Sequence, residues 1–404
     1  MTAQRTAPTA PTAHLDSAGT GRMPDAVRAV LADATAHDDR YGTHALEERL
    51  GGLLHTGVHE RVGALLGVPA AHTVLATGAA AAFEAYAAHL ALGPRDRLWT
   101  TPHEGVDRLA TLYSLRDRTR ARLEVVPLRP DGDLDLDWMR EHIDEDVALV
   151  SLVHVSAACG TVHPVEEVGR ILAPHRARYT VDASYSVGRI PVDAARIGCH
   201  LLTADGWRYL RGPYETGFAY ADPTAWPDPL PLPAPEPEAP AVAALHAALV
   251  HHAAAGALPY DDQLARLRTA LAGLPGVELI APGRRQAGIV AFRHRTVPAA
   301  QIRRGLARRG VVVHKGVAQE HPLHPAARDG ALLLRASVHH DTTAEEVDRL
   351  ALALREVLRE ERAAPAAPAP VRALAAAGAD HPGGGTPSPR GPLRRGHLTL
   401  HSNR

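Results

Sequence analysis

The chain has 404 residues, 45% of them hydrophobic, and a formal net charge of −1. That length allows two domains and a large core, and the near-neutral balance argues against nucleic acid or an anionic membrane surface as partner. No apolar stretch reaches bilayer length, no secretory core follows Met1, and Cys159 and Cys199 are too few for a disulfide framework, so a cytoplasmic protein is expected.

Lysine usage is the unusual count. Lys315 is the only lysine, against 43 arginines. The excess of Ala, Arg, Gly and Pro suggests a GC-rich coding bias, which exchanges surface Lys for Arg at little cost. A lysine needed for its free amine does not tolerate that exchange, because guanidinium stays protonated.

Residues 1–13 and 363–404 are rich in Pro, Ala, Gly and Ser and are expected to be disordered. Between them, Pro24–His37 and Ala45–Leu66 read as helices, Thr73–Leu75 as a strand and Ala79–Leu92 as an Ala-rich helix. Leu98–Thr100 and Leu123–Val126 are strand-like. Val147–Val153 and Tyr179–Asp182 are short apolar runs suited to the centre of a parallel sheet, with Pro164–Leu172 as the crossover helix between them. Such repeated strand–helix–strand units imply a doubly wound α/β domain. Proline-dense Pro223–Pro240 reads as a connector. Helices at Ala241–Ala255, Tyr260–Leu274, Ala299–Arg309 and Thr343–Arg362, with strands at Val277–Ile280, Gly288–Phe292, Val311–Val313 and Leu332–Ser337, form a smaller α+β domain. The expected boundaries are 14–235 for the large domain, whose first segment packs on the small one, and 236–362 for the small domain.

Several segments in series resemble the class V aminotransferase family, which includes cysteine desulfurases, isopenicillin N epimerase-like proteins and hercynylcysteine sulfoxide lyase-like proteins. They are "HLDSAGTGRMP" (His14–Pro24), "VHPVEEVGRIL" (Val162–Leu172), "VDASYSVGRIPVDAARIGCHLLTADG" (Val181–Gly206), "YLRGPYETGFAY" (Tyr209–Tyr220), "GVVVHKG" (Gly310–Gly316) and "LRASVHHDTTAEEVDRL" (Leu334–Leu350). The resemblance spans roughly residues 14–360. It implies the type I fold of pyridoxal phosphate (PLP)-dependent transferases, usually a homodimer, with PLP between the domains. A lysine holds the PLP aldehyde, an Asp keeps its ring nitrogen protonated, and an aromatic residue or His stacks on the ring.

Carried onto this chain, the resemblance assigns the ring-nitrogen role to Asp182 and the stacking role to His103, although "TPHEG" departs from the family's pattern. Arg335 matches the arginine that grips a substrate carboxylate in many relatives. Arg208, in "GWRY", stands where the resemblance places the lysine. The remaining ancestral cofactor positions are Gly78, Ala79 and Ala80 in "TGAAAA", Ala157 in place of Asn, Tyr185 in place of Gln, and Trp207 in place of His or Arg. "PEPEAPAV" (Pro235–Val242) replaces a loop that offers a hydroxyl to the partner subunit's phosphate in relatives. With only 16 aromatic residues in the chain, Tyr185 and Trp207 at such positions suggest a plugged or retuned pocket.

The expectation is therefore a PLP-independent enzyme of specialised metabolism acting on a carboxylate-bearing, amino-acid-like molecule. Asp182, Arg208 and His103 would act as acid, base or anion stabiliser, and Arg335, Trp207 and Tyr185 would bind substrate. No covalently held cofactor is expected, PLP is disfavoured, and no metal site is read from the adjacent His339 and His340. Two alternatives stand beside it: a non-catalytic partner of an active homologue, and PLP bound non-covalently or through Lys315 in support of aminotransferase, C–S lyase or epimerase chemistry.

Overall fold

The computed structural model of the protein describes residues 13–224, 234–256, 261–316, 320–328, 333–363 and 399–400. Its strands are β1 (Ala13–His14), β2 (Thr73–Ala76), β3 (Arg97–Thr100), β4 (Arg122–Val125), β5 (Val147–Val153), β6 (Arg178–Asp182), β7 (Leu201–Asp205), β8 (Gly217–Ala221), β9 (Val277–Ile280), β10 (Ile289–His294), β11 (Val311–Val312), β12 (His314–Lys315), β13 (Leu334–Ser337) and β14 (Thr399–Leu400). The helices used below are α1 (Asp25–Tyr41), α2 (Thr43–Gly52), α3 (Val58–Leu66), α4 (Ala79–Ala88) and α5 (Val106–Thr119).

The fold is α/β with a mostly parallel central sheet. Eight strands run in the order β14-β4-β3-β5-β6-β7-β8-β2, with β8 antiparallel to both neighbours. Every residue of β5 is buried, as a strand covered on both faces must be, which is why it reads as a continuous apolar run. The smaller sheet, β12-β13-β10-β9, is antiparallel, and β1 pairs in parallel with β11, so the N-terminal segment joins the C-terminal core through Ala13 and Leu15.

Three local differences from the sequence reading have plain causes. The single helix expected over Ala45–Leu66 is divided into α2, a π-helical turn at Leu53–Gly57 and α3; glycines 51, 52 and 57 weaken the helix there. Helix α5 and strands β7 and β8 lie in stretches to which the sequence reading assigned no element, although Leu109, Leu112 and Leu115 of α5 are spaced for one buried face. Within the stretches expected to be disordered, Ala13 belongs to β1, Ala363 ends the last helix, and Thr399–Leu400 pair with Glu124–Val125, because β4 otherwise leaves an open edge; residues 1–12, 364–398 and 401–404 lie outside the described residues.

A buried cation ties the central strands together. Arg108, on α5 and 4% exposed, donates from Nε to Ser151 Oγ (2.8 Å), from Nη2 to Thr180 Oγ1 (3.0 Å) and from Nη1 to Thr203 Oγ1 (3.1 Å). One hydroxyl comes from each of β5, β6 and β7, and the guanidinium lies 3.8 Å over the Phe83 ring. Burial pushes its pKa down, while the carboxyls of Glu104 and Asp182 push it back up. Arg108→Ala strands three buried hydroxyls and opens a cavity, so a stability loss of about 3 kcal/mol or more is expected. Denaturant unfolding with an unchanged slope would measure it, and Arg108→Lys should recover less than half.

Candidate functional site

The carboxyl ends of the parallel strands gather the chemistry-bearing side chains, as expected at the crevice of a doubly wound sheet. Asp182 ends β6, and its Oδ1 accepts from Ser184 N (2.9 Å) and Ser184 Oγ (2.6 Å). Asp205 ends β7 and is buried, and its carboxylate is used at both oxygens. Ala79 N, at the first turn of α4, donates to Oδ1 (2.9 Å), and Arg208 Nε donates to Oδ2 (2.7 Å). Burial raises the Asp205 pKa, and Arg208 opposes that rise.

Arg208 is the hub. Its Nη1 donates to Ala18 O (2.9 Å), and its guanidinium carbon lies 4.2 Å from the centre of the Tyr185 ring. Burial disfavours its charge, but Tyr185, Asp205 and Asp182 more than compensate, so its pKa is raised. Trp207 packs against Gly78: a Cβ on that glycine would lie 3.1 Å from the indole and 3.3 Å from Asp205 Oδ1. A side chain there would make the indole and the carboxylate give by a few tenths of an ångström.

Arg335 is 1% exposed. Its Nη1 donates to Ala157 O (2.9 Å), its Nη2 lies 3.7 Å from Asp16 Oδ1, and its Nε has no hydrogen-bond partner. Register settles the direction of Lys315. His314 pairs with Arg335 and Lys315 with Leu334, so Lys315 points to the sheet face opposite Arg335. A lysine reaching this site from β12 is not what the structure shows.

The structure thus brings Asp182, Tyr185, Trp207, Arg208 and Arg335 together with the α4 start at Gly78, Ala79 and Ala80 and the Ala157 carbonyl. It places His103 elsewhere in the crevice, fully buried, with Nδ1 against His163 Nε2 (2.9 Å) and its ring stacked on His324. Asp205, Glu104 and Asp16 were missed in the sequence. Asp205 lies within the segment Val181–Gly206, and "ADGWR" shows an acid three residues before Arg208 and thus able to pair with it. Glu104 is buried and pushed up to about 8, first by desolvation, despite Arg108 nearby. A cavity of about 610 Å³ lined by Arg61, Arg189, Leu249, His252, Gln286 and His340 contains none of the expected site residues.

At the mouth, His314 bridges two carboxylates: Nε2 lies 2.7 Å from Glu320 Oε1 and Nδ1 3.6 Å from Asp16 Oδ2. Burial lowers the His314 pKa, but Asp16 and Glu320 outweigh it and leave it above 6.5. Glu320 is held below 4.5 despite burial, chiefly by His314.

Residues 13–232 and 236–350 match the model of the family described as Aminotransferase class-V. Among curated proteins, a probable cysteine desulfurase of Halalkalibacterium halodurans is 28% identical over 52% of this chain and 53% of its own. A cysteine desulfurase of Escherichia coli O8 is 28% identical over 60% and 66%. The matched span covers about half the length of the curated relatives that score first. Among solved structures, an apo cysteine desulfurase of Thermococcus onnurineus NA1 superposes with a TM-score of 0.76 at 21% identity, covering 86% of this chain and 95% of that one. A C-DES mutant with glycine covalently linked to its PLP cofactor gives 0.74 at 18%, covering 86% and 97%. These relatives overturn the expectation that no cofactor is held and that PLP is disfavoured: they point to PLP. That expectation weighed individual lost contacts, whereas the cofactor is a property of the whole site. No helix among the described residues is long and apolar enough to cross a membrane.

The sign of the pH response at the mouth follows from the two shifts. The His314 contribution is fully present below pH 6.5 and is lost as pH rises through its raised folded pKa; that of Glu320 is present above pH 4.5 and lost as pH falls through its lowered one. The protection of the amides of residues 320–328, relative to their intrinsic exchange rate at each pH, should therefore be greatest between about pH 4.5 and 6.5. His314→Gln should abolish the alkaline half of that dependence.

Proposed function

The chain belongs to the class V aminotransferase family, and from that premise we propose that its crevice takes an amino-acid-like small molecule whose carboxylate is received by Arg335. We further propose that PLP is the cofactor there, with Arg208 in the position of the lysine that holds it in relatives. The observation that carries the first reading is the unpaired Nε–H of Arg335. A buried guanidinium donor without an acceptor is costly, and a bidentate carboxylate is the acceptor whose geometry it matches. The register of "GWRY" between "VDASYS" and "YLRGP" supports the second.

The residues fit PLP at one end and not at the other. At the ring end, Asp182 is oriented by Ser184 and would keep the ring nitrogen protonated. At the phosphate end, the α4 start is an anion seat of the usual kind, but Asp205 already accepts the Ala79 N–H. A phosphate and the Asp205 carboxylate cannot share that seat, so the phosphate end does not fit until Asp205 withdraws, and no catalytic step is derived through the cofactor here. What this chain's own residues do is define the crevice. Arg208 and Arg335 make it cationic beside Tyr185, Trp207 walls off the α4 side, and Asp182 supplies the counter-charge.

Three variants test the reading. Arg335→Ala should weaken calorimetric binding of L-alanine and L-cysteine about tenfold or more, the value of a lost charge-assisted pair. Unchanged binding in the folded variant would remove the carboxylate role. Asp205→Ser vacates the anion seat and should tighten PLP binding about tenfold; no gain would mean that Asp205 does not compete. Arg208→Lys in that background should give a PLP adduct that borohydride fixes to residue 208, located by peptide mass; an adduct elsewhere would overturn the register.

A further inference from the structure

We propose that His103, Cys159 and His324 form a site for a divalent transition metal of zinc-like preference. The site goes beyond the carboxylate reading above and takes His103, the residue to which the resemblance gives the PLP-stacking role, as a ligand instead. His103 follows β3, Cys159 follows β5, and His324 lies on the segment that precedes the short helix Pro325–Arg328, so the three come from separate parts of the chain. Their donor atoms all lie within 4.8 Å of one another, and the residues are 0%, 0% and 2% exposed. They form the one group of three or more potential ligands among the described residues.

The second observation is the state of the donors. His103 Nε2 and His324 Nε2 are buried without any hydrogen-bond partner. Two orphaned imidazole nitrogens beside a free thiol are costly as a purely structural arrangement. A cation would satisfy both nitrogens at once. The donor set, two imidazoles and a thiolate, suits Zn²⁺ or Co²⁺ and is a poor match for Mg²⁺ or Ca²⁺, which require oxygen.

The outer contacts are those of a ligated histidine. His103 Nδ1 is 2.9 Å from His163 Nε2. With His103 bound through Nε2, its Nδ1–H donates to His163, fixing tautomer and ring orientation. Ser156 Oγ, 3.4 Å from Cys159 Sγ, is a hydroxyl able to donate to a thiolate, while Thr161 Oγ1, at 3.2 Å, already donates to Pro282 O. His324 must change more. Its Nδ1 now accepts from Ala326 N at 3.2 Å, which puts the ring proton on Nε2. Ligation through Nε2 moves that proton to Nδ1 and gives up this long bond, and the thiol proton of Cys159 leaves to solvent as the metal–sulfur bond forms. Three protein ligands leave one position of a tetrahedral ion for water.

The ion would clamp the 320–328 segment onto the large domain. That segment already reaches it through His321, whose Nδ1 lies 3.2 Å from Glu104 O.

The test uses the full chain, stripped with chelator and titrated with Co²⁺ alone. One equivalent should give a near-ultraviolet thiolate-to-cobalt band and visible bands of tetrahedral strength, and Zn²⁺ should displace both. The band distinguishes this site from casual binding to the other histidines. Cys159→Ala should abolish the band, and His324→Gln should weaken binding about a hundredfold. His163→Gln, a positioning residue, should weaken it about tenfold while leaving the band in place. Circular dichroism establishes that each variant is folded. Absence of the thiolate band in the folded wild-type protein, or equal Co²⁺ affinity in wild type and Cys159→Ala, would overturn the proposal.

Discussion

The Asp205 carboxylate, shared between the Ala79 N–H and the Arg208 guanidinium, is the interaction on which the architecture of the crevice turns. A carboxylate at the buried end of β7 has to be neutralised or paired, and this one is paired twice: with the positive end of a helix and with a full cation. Through Ala79 it fixes the start of α4 against β7. Through Arg208 it reaches the Ala18 carbonyl, in the segment whose strand β1 belongs with β11 on the other sheet system. One acid thereby links the central sheet, helix α4 and the N-terminal segment that pairs with β11.

The same arrangement explains why the crevice is both cationic and crowded. Arg208 and Arg335 flank Tyr185 at 4.2 and 6.0 Å, yet neither is open to solvent in the ordinary sense, because backbone carbonyls of Ala18 and Ala157 occupy part of each fork. Arg108 adds a third cation, on the same face of the strands as Asp182 and held by hydroxyls instead of direct acid contacts. Such a distribution favours an anionic ligand that offers better acceptors than backbone oxygen. In this chain a protein carboxylate sits on the start of α4.

Much of the site was legible at the level of position. Asp182, Tyr185, Trp207, Arg208 and Arg335 converge because the order of motifs fixed where each strand ends. What those side chains touch was not legible. Asp205 looked like an ordinary residue of "TADG", and Arg108 like one more arginine among 43; burial and partner choice, which only neighbouring strands create, give them their roles. His103, His163 and His324 lie 60 and 221 positions from one another at the extremes, and no local pattern announces that their rings meet. Counting substitutions at cofactor positions also led away from PLP, although a solved protein of the same fold carries glycine covalently linked to PLP.

By itself, the sequence determined the periodic elements, the parallel centre of the sheet and the family of the fold. Those rest on local hydrophobic pattern and on motif order along the chain. It also determined that one lysine exists and that position 208 is a permanent cation. Only the tertiary structure decided that Lys315 faces away from Arg335, that Asp205 takes the helix start, and that two imidazoles and a thiol are sealed together. Each of these depends on strand register or on long-range packing, where a shift of one residue reverses the face a side chain presents.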